Sequence, residues 1–436
     1  MYQKHRNFFI YGVMFLILTT LPQAMFAQSG ILSPYSRFGV GTVQPNLNIR
    51  NMSMGGVSVG LSGVGNASSF NPASYAFGVD TLSVIFDIGF NVTGNDLKQK
   101  RGNGEILRNA SVSGGLSNFE FYFPIFRWWK MGLYLLPETQ MSYYTSTFQS
   151  SPDTSIGSTQ LFYSGKGGLS RLGWGNAFAY KNIAIGVNLN YRFGSFDRSN
   201  ALYFFKNGNL RTDYVQSEVS TYTYMKGLSI DLGLMYVQPL NRSDKLTIGG
   251  AYTFASKLHA VSQIEARGKV DDNVSDTAYI SDKIKGPIMM PSTIRVGVSY
   301  EKIRKWSVGV DFTYYDWSKF SSFGERVKFF DNTWNIAVGG EMKSDLSNSL
   351  YARKLAYRIG FRYGNLYPDY EQKQLEEFGV SLGVGFPIRK SRSTINVGIE
   401  AGSSGQLSKG QIQTNFVKIG VSFTSLETWF LKRKYD

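Results

Sequence analysis

The sequence predicts an all-β fold, a transmembrane antiparallel β-barrel of about fourteen strands with an N-terminal hatch inside its lumen. From Thr81 onward, segments of roughly ten residues alternate between apolar and small or polar residues, which is the pattern of a tilted transmembrane strand. The chain is 42% hydrophobic and 15% aromatic, yet its mean hydropathy is close to neutral. The connections between the segments also alternate between short and long.

The first residues predict export. A basic stretch at residues 4–6 precedes an apolar run from Phe8 to Leu21 and a group of small residues that ends at Ala27. This is the pattern of a cleaved signal peptide over residues 1–27, and the apolar run is short for a membrane-spanning helix. An uncleaved membrane anchor is the alternative.

The barrel is predicted over residues 80–424, and its strands are placed by alternation. From Ile183 to Phe193 every odd-numbered residue is apolar and the even-numbered ones are small or polar, so one face meets lipid and the other the lumen. Twelve or sixteen strands, or a soluble β-sandwich or propeller, are the alternatives. The strands are predicted near residues 81–93, 110–124, 129–146, 159–180, 183–195, 219–238, 245–258, 288–301, 305–318, 332–342, 353–364, 376–387, 393–403 and 412–424.

The connections predict the orientation of the barrel. Short turns alternate with longer loops, such as those at 196–217 and 257–286, and in outer-membrane barrels the short turns face the periplasm. Both termini are then periplasmic, including a tail at residues 425–436 that would lie on lipid headgroups or contact a periplasmic protein. Aromatic residues at the predicted strand ends, among them Trp128, Trp306 and Phe254, form two membrane-interface girdles.

The net charge is +15, and its positive residues are interpreted as solvated turns and as contacts to phosphates of outer-membrane lipid and lipopolysaccharide. Its lysines and arginines fall in predicted turns, loops and the tail, and no nucleic-acid-binding motif accompanies them. We therefore expect no nucleic-acid partner.

Residues 28–79 do not alternate and are rich in glycine, serine and asparagine. They contain Met54-Gly55-Gly56-Val57 and, further on, Asn71-Pro72-Ala73. In order, spacing and position these elements resemble the N-terminal hatch of the FadL family of long-chain fatty acid and hydrocarbon transporters. Val57 departs from the family pattern, where alanine is usual. The resemblance rests on residues 50–73 and implies a barrel of fourteen strands.

The resemblance also implies a route for an apolar ligand, from outer loops to a lumenal pocket near the hatch and out through a gap in the wall. The hatch would be the gate, and a static cork that only fills the lumen is the alternative. The gating residues would be Met54, Gly55, Gly56, Asn71, Pro72 and Ala73.

Two sets of side chains are candidates for ligand binding. Apolar residues in the long predicted loops could capture a ligand, although they could equally pack on other loops or continue the strands. Lysines and arginines whose place in the alternation directs their side chains into the lumen could pair with a ligand carboxylate. Inward acidic residues such as Asp87, Glu120 and Glu341 make mutual salt bridges the alternative. The candidates are Leu202, Tyr203, Phe204, Phe205 and Leu258 for the loops, and Arg192, Arg295, Arg358, Arg362 and Lys418 for the lumen.

No catalytic, metal or cofactor site is predicted. The chain has no cysteine and two histidines, of which only His259 follows the signal peptide, and no nucleophile lies at a recognisable spacing from it. We expect a protein that is not an enzyme.

The leading functional hypothesis is an outer-membrane channel for passive uptake of a hydrophobic molecule similar to a long-chain fatty acid, gated by the hatch. The alternative is a FadL-type barrel that acts as a protein-interaction or docking subunit of a secretion or outer-membrane assembly complex. A water-filled porin is disfavoured because the hatch would block it. The sequence does not decide between transport and docking.

Overall fold

The computed structural model describes residues 33–44, 48–150, 157–206, 208–271, 274–328, 330–343, 351–370, 373–388 and 391–429. The predicted signal peptide and the tail beyond Trp429 lie outside these residues. The helices are short: α1 Ile49–Met52, α2 Tyr75–Gly78 and α3 Tyr351–Lys354, with 3-10 turns at Pro34–Arg37, Pro72–Ser74, Trp317–Lys319 and Leu407–Lys409. In the described part of the chain no helix is long and apolar enough to cross a bilayer.

The described strands close into an antiparallel barrel whose wall has fourteen strand positions, as the sequence predicts. Wall strands pair in chain order, and the first pairs with the last from Ser83–Thr428 to Lys98–Gln413. Two wall positions are each formed by two collinear strands, β9 (Asp244–Thr253) with β10 (Ser256–Asp271) and β12 (Ile284–Met290) with β13 (Thr293–Lys302). The wall strands are β2 Ser83–Lys100, β3 Ile106–Phe126, β4 Trp129–Ser150, β5 Ser158–Tyr180, β6 Ile183–Lys206, β8 Gln216–Pro239, β9 Asp244–Thr253, β10 Ser256–Asp271, β12 Ile284–Met290, β13 Thr293–Lys302, β14 Trp306–Tyr315, β17 Thr333–Met342, β18 Ala356–Tyr370, β19 Lys373–Pro387, β20 Thr394–Ser404 and β21 Gln413–Thr428; the short strands are β1 Thr42–Val43, β7 Asn209–Leu210, β11 Val274–Ile280, β15 Ser321–Ser322 and β16 Glu325–Arg326.

The prediction of long loops is wrong for several segments, because their residues mostly form strands that extend or adjoin the wall. β6 continues to Lys206 and pairs with β5 as far as Phe205–Ser158, and the predicted loop at 257–286 is formed mostly by β10, β11 and β12. The outward positions Ser195, Asp197 and Ser199 are polar. The apolar alternation therefore stops where the strands leave the lipid layer, although their backbone pairing continues.

The two faces of the wall differ as the alternation predicts. Outward side chains such as Ile185 and Ile359 are 56% and 60% exposed in the isolated chain, whereas the inward Asn188 is fully buried. Many inward residues are buried against the N-terminal segment, defined here as the described residues 33–44 and 48–79, which packs on the inner face of the wall.

A belt of glycines lets the N-terminal segment reach the wall. On thirteen of the fourteen wall positions an inward glycine lies where a Cβ atom would come within 4 Å of this segment. Many of these glycines are cross-strand neighbours, as in the row Gly309–Gly339–Gly360. Only a residue without a side chain leaves room for such backbone-to-backbone packing. The belt comprises Gly89, Gly132, Gly175, Gly186, Gly233, Gly249, Gly297, Gly309, Gly339, Gly360, Gly383, Gly398 and Gly420.

The belt predicts a contrast between two adjacent glycines of β9. A Cβ at Gly249 would meet the carbonyl oxygen of Val59 and the Asn71 amide, whereas a Cβ at Gly250 has its nearest neighbour 3.9 Å away. We expect Gly249→Ala to lower the free energy of unfolding by about 1–3 kcal/mol through overpacking, and Gly250→Ala to change it by less than about 0.5 kcal/mol. Denaturant titration of the purified barrel would measure both, and equal effects would contradict the belt.

Candidate functional site

The N-terminal segment is held to the wall by buried polar contacts. The Asp311 carboxylate on β14 accepts hydrogen bonds from the backbone N–H groups of Ser58 (2.6 Å) and Val59 (2.7 Å). The Ser381 hydroxyl on β19 accepts one from Gly55 N–H at 2.9 Å. On β13, Ser299 donates to the carbonyl oxygen of Gly60 at 2.7 Å. These side chains replace the water that the irregular backbone would otherwise bind.

An ionic triad adds charge to this attachment. The Glu341 carboxylate on β17 accepts two hydrogen bonds from Arg50 of the N-terminal segment, at 2.8 and 2.9 Å, and one from Arg358 on β18 at 2.7 Å. Arg50 also donates to the carbonyl oxygen of Gly65 at 2.7 Å. Side-chain exposure is 4% for both Glu341 and Arg358. The carboxylate therefore has both its charge and its oxygen lone pairs satisfied in a buried place.

The two sequence motifs of the segment lie where the backbone turns sharply against the belt. Gly55 and Gly56 have φ of +70° and +106°, values that favour glycine. Met54 is buried at the row Gly309–Gly339–Gly360, where its carbonyl lies over Gly339.

The second motif caps a 3-10 turn. The Asn71 side chain accepts from Ala73 N–H at 3.1 Å and donates to the carbonyl oxygens of Val59 at 3.0 Å and Leu234 at 3.2 Å. Pro72 begins this turn and lies over Gly186. The motif residues are thus packing and capping residues, and a gating role for them stays a prediction.

Beside the N-terminal segment lies a cavity of about 220 Å³, which we call the central cavity. Its wall side includes three of the predicted cations, Arg295, Arg362 and Lys418, and its aromatic lining includes Phe70 and Tyr315. Arg362 is paired with carboxylates, whereas Arg295 and Lys418 form no ion pair with a described residue. Arg295 instead donates to Thr253 at 3.1 Å and lies 5.1 Å from the Phe70 ring centre.

The other lumenal cations are braced as in the salt-bridge interpretation. Arg192 donates to both oxygens of Glu138, at 2.8 and 2.9 Å, and to Ser256 at 2.6 Å. Arg362 pairs with Glu377 and Glu400. Arg192 and Arg362 therefore have their charge balanced by barrel carboxylates, as Arg358 has through Glu341.

An apolar cluster occupies the lumen toward the long-loop rim, which is the end of the barrel that carries the long connections. Tyr367 stacks on Trp317 with ring centres 4.1 Å apart, and its hydroxyl donates to the carbonyl oxygens of Phe38 and Gly41. Leu258, a predicted ligand contact, is fully buried in this cluster. The sequence analysis missed Trp317, which begins a 3-10 turn after β14, and Tyr367, which lies where the register between β18 and β19 shifts. Neither residue belongs to a regular alternation.

The apolar run at residues 202–205 is not the predicted loop but the end of β6. Tyr203 and Phe205 line a groove on the outer face of the sheet, where the Tyr203 ring lies 5.3 Å from that of Phe162. Phe204 packs on Tyr214, with ring centres 5.1 Å apart, and Leu202 is half-buried. These residues are not brought together with the lumenal cations.

The triad predicts a large loss on removal of its central charge. Glu341→Gln leaves Arg50 and Arg358 facing each other without a counter-charge, and we expect a loss of about 3–5 kcal/mol in the free energy of unfolding. The matched control is Glu105→Gln, which removes an exposed ion pair with Arg101 and should cost less than about 1 kcal/mol. Denaturant titrations of the two variants would show the difference, and similar midpoints would contradict the role of the triad.

Solved structures share this architecture. A Pseudomonas aeruginosa FadL homologue matches with a TM-score of 0.60 and 15% identity, over 89% of this chain and 99% of that one. The Pseudomonas putida toluene transporter TodX matches with a TM-score of 0.57 and 16% identity, over 88% and 99%. The monoaromatic hydrocarbon channel CymD matches with a TM-score of 0.56 and 13% identity, over 90% and 100%. At these identities the likeness shows a FadL-type fold.

No curated protein matches the chain significantly. A protein-family model described as BamG matches residues 9–436, nearly the whole sequence. The FadL resemblance is therefore a likeness of fold and hatch motifs, and the chain belongs to the BamG family.

Proposed function

We propose that this chain is an outer-membrane barrel with a permanently filled lumen that serves as a docking subunit of an outer-membrane assembly complex. The carrying observation is the attachment of the N-terminal segment to thirteen of the fourteen wall positions through the glycine belt, together with the buried Asp311 and Glu341 contacts. A gate would have to break these contacts together. The family name BamG is the reason to choose assembly over other docking roles.

This proposal includes an orientation and a location. The barrel lies in the outer membrane with its short turns and both termini in the periplasm, as is usual for such barrels. The long-loop rim then faces outward. Partners could therefore bind from either side, with lipid and lipopolysaccharide around the wall.

A disulfide between the N-terminal segment and the wall would distinguish a static plug from a gate that moves. The hydroxyls of Ser62 and Thr247 on β9 are 2.7 Å apart, and the chain has no native cysteine. Ser62→Cys with Thr247→Cys should therefore form a disulfide under oxidation. We expect the locked barrel to retain its co-purifying subunits and the cellular level of other outer-membrane barrels.

The control for the lock is the same double variant under reducing conditions, with Ser62→Cys alone as a second control. If oxidation abolishes function and a reductant restores it, the segment moves in the working cycle. The static-plug proposal would then be abandoned.

A second candidate function is binding of a hydrophobic anion, and the central cavity favours it. Arg295 and Lys418 line this cavity, and neither forms an ion pair within the described chain, although Glu400 is the cross-strand neighbour of Lys418. Phe70 and Tyr315 offer apolar surface. A fatty acid-like molecule matches both features. Such a ligand could be cargo of a channel or a resident lipid of a docking subunit.

Dodecanoate and dodecanol, compared by native mass spectrometry in lipid nanodiscs, would test this candidate. We expect dodecanoate to bind more tightly, and Lys418→Met to weaken dodecanoate binding about tenfold through loss of a charge-assisted hydrogen bond. Lys226→Met, at an exposed outward position on β8, is the control and should change nothing. Equal binding of the two compounds to all variants would rule the candidate out.

A further inference from the structure

The wall contains a seam between β3 and β4. These neighbours pair only near the short-turn rim, from Phe126–Trp129 to Phe119–Leu135. Beyond this point β3 stays paired with β2 as far as Ile106, and β4 with β5 as far as Ser150. Residues 106–118 and 136–150 therefore each have a strand edge that is not paired with the other.

The sequence of β4 accounts for the seam. The pairing of β4 with β5 shifts register between Pro137 and Thr139, so Glu138 is a bulged residue. Proline has no N–H to donate and is found at strand edges and bulges, and a bulge turns the strand. The ladder with β3 ends two residues before this proline.

The start of the seam is already occupied by a strand. In β1, Thr42 pairs with Gln140 and Val43 with Thr139 in antiparallel register. The N–H of Gln44 donates to the Glu138 carbonyl at 3.0 Å. The edge of β4 therefore accepts a β-strand in this structure.

The next backbone groups along the same edge can be assigned by parity. The N–H of Ser142 points to the seam, where it donates to the Ser36 hydroxyl at 3.2 Å. Alternate residues of a strand direct their backbone groups to the same side. The backbone groups of Tyr144, Ser146 and Phe148 therefore face the seam, and no strand of the described chain pairs with them there.

The position of this edge explains why it can stay unpaired. A transmembrane strand crosses the apolar layer in about nine to eleven residues, so counting from Trp129 the layer ends between Pro137 and Thr139. β1 supplies partners at that level, and water can solvate the backbone beyond it. Exposed apolar side chains flank the open part of the seam: Val112 is 63%, Tyr144 52% and Phe148 63% exposed.

We propose that the edge of β4 from Tyr144 to Phe148 binds a β-strand of a protein partner, which adds antiparallel to β4 in continuation of β1. The inference rests on the proposed docking function and names the place where a partner binds. An extended strand is the ligand that a row of alternating N–H and C=O groups recognises. Apolar side chains on one face of that strand would pack against Val112, Tyr144 and Phe148.

Cross-linking in cells tests the seam. A photoreactive p-benzoylphenylalanine replaces Val112 on the β3 side of the seam. In this background, single substitutions then change the β4 edge. Ser146→Pro removes an N–H that faces the seam but leaves the backbone bonds to β5, which belong to the odd-numbered residues. Ser146→Ala is its matched control, since both changes remove the hydroxyl that accepts a hydrogen bond from Gln160 at 3.2 Å. At a second position Phe148→Pro is compared with Phe148→Ala, because both lose the apolar side chain and only the proline also loses the N–H. Resistance of the unheated barrel to unfolding in detergent reports folding.

We expect an adduct with a co-purifying subunit that is about fivefold weaker in each proline variant than in its matched alanine variant, the equivalent of one net hydrogen bond. An adduct that is unchanged by proline, or one formed with lipid, a second copy or the chain's own N-terminus, overturns the inference. If subunits co-purify but no seam adduct forms, the inference fails and the docking function stands. If no subunit co-purifies with the unaltered barrel, the docking function fails as well.

Discussion

The close approach of an irregular backbone to the inside of a β-barrel is the constraint on which the rest of this structure depends. A side chain on the wall would hold the N-terminal segment several ångströms away, and the belt of inward glycines removes that spacing. At the shorter distance the wall carboxylates of Asp311 and Glu341 reach the segment directly. The central cavity lies between the two where the glycine belt gives way to larger side chains, with Phe70 of the segment and Tyr315 of the wall in its lining.

Much of the wall was predictable because lipid restricts which residues can face it. All fourteen wall positions appear near their predicted places, and the run from Ile183 to Phe193 is outward-apolar throughout. The same rule failed above the lipid. Ser195, Asp197 and Ser199 face water, so alternation gives no signal there although β6 remains paired to its neighbours.

The lumen was less predictable, because its contacts join residues that are distant in sequence. Parity placed Arg358 and Arg362 inside correctly, but their partners depend on cross-strand register. Arg50 reaches Glu341 across 291 positions of the chain, a pairing that no local pattern encodes. The belt itself had a visible signal, a glycine at one height of nearly every strand, which strand parity alone did not single out.

The belt also constrains the order in which the molecule can fold. Ile49 packs against Gly89 on β2 and Gly420 on β21, the two strands whose pairing closes the ring. Because Ile49 packs beneath this closure, we expect residues 49–78 to be in place before the first and last strands pair. The barrel would then close around the N-terminal segment. The machinery that folds this chain would have to keep the first and last strands apart until the segment lies inside.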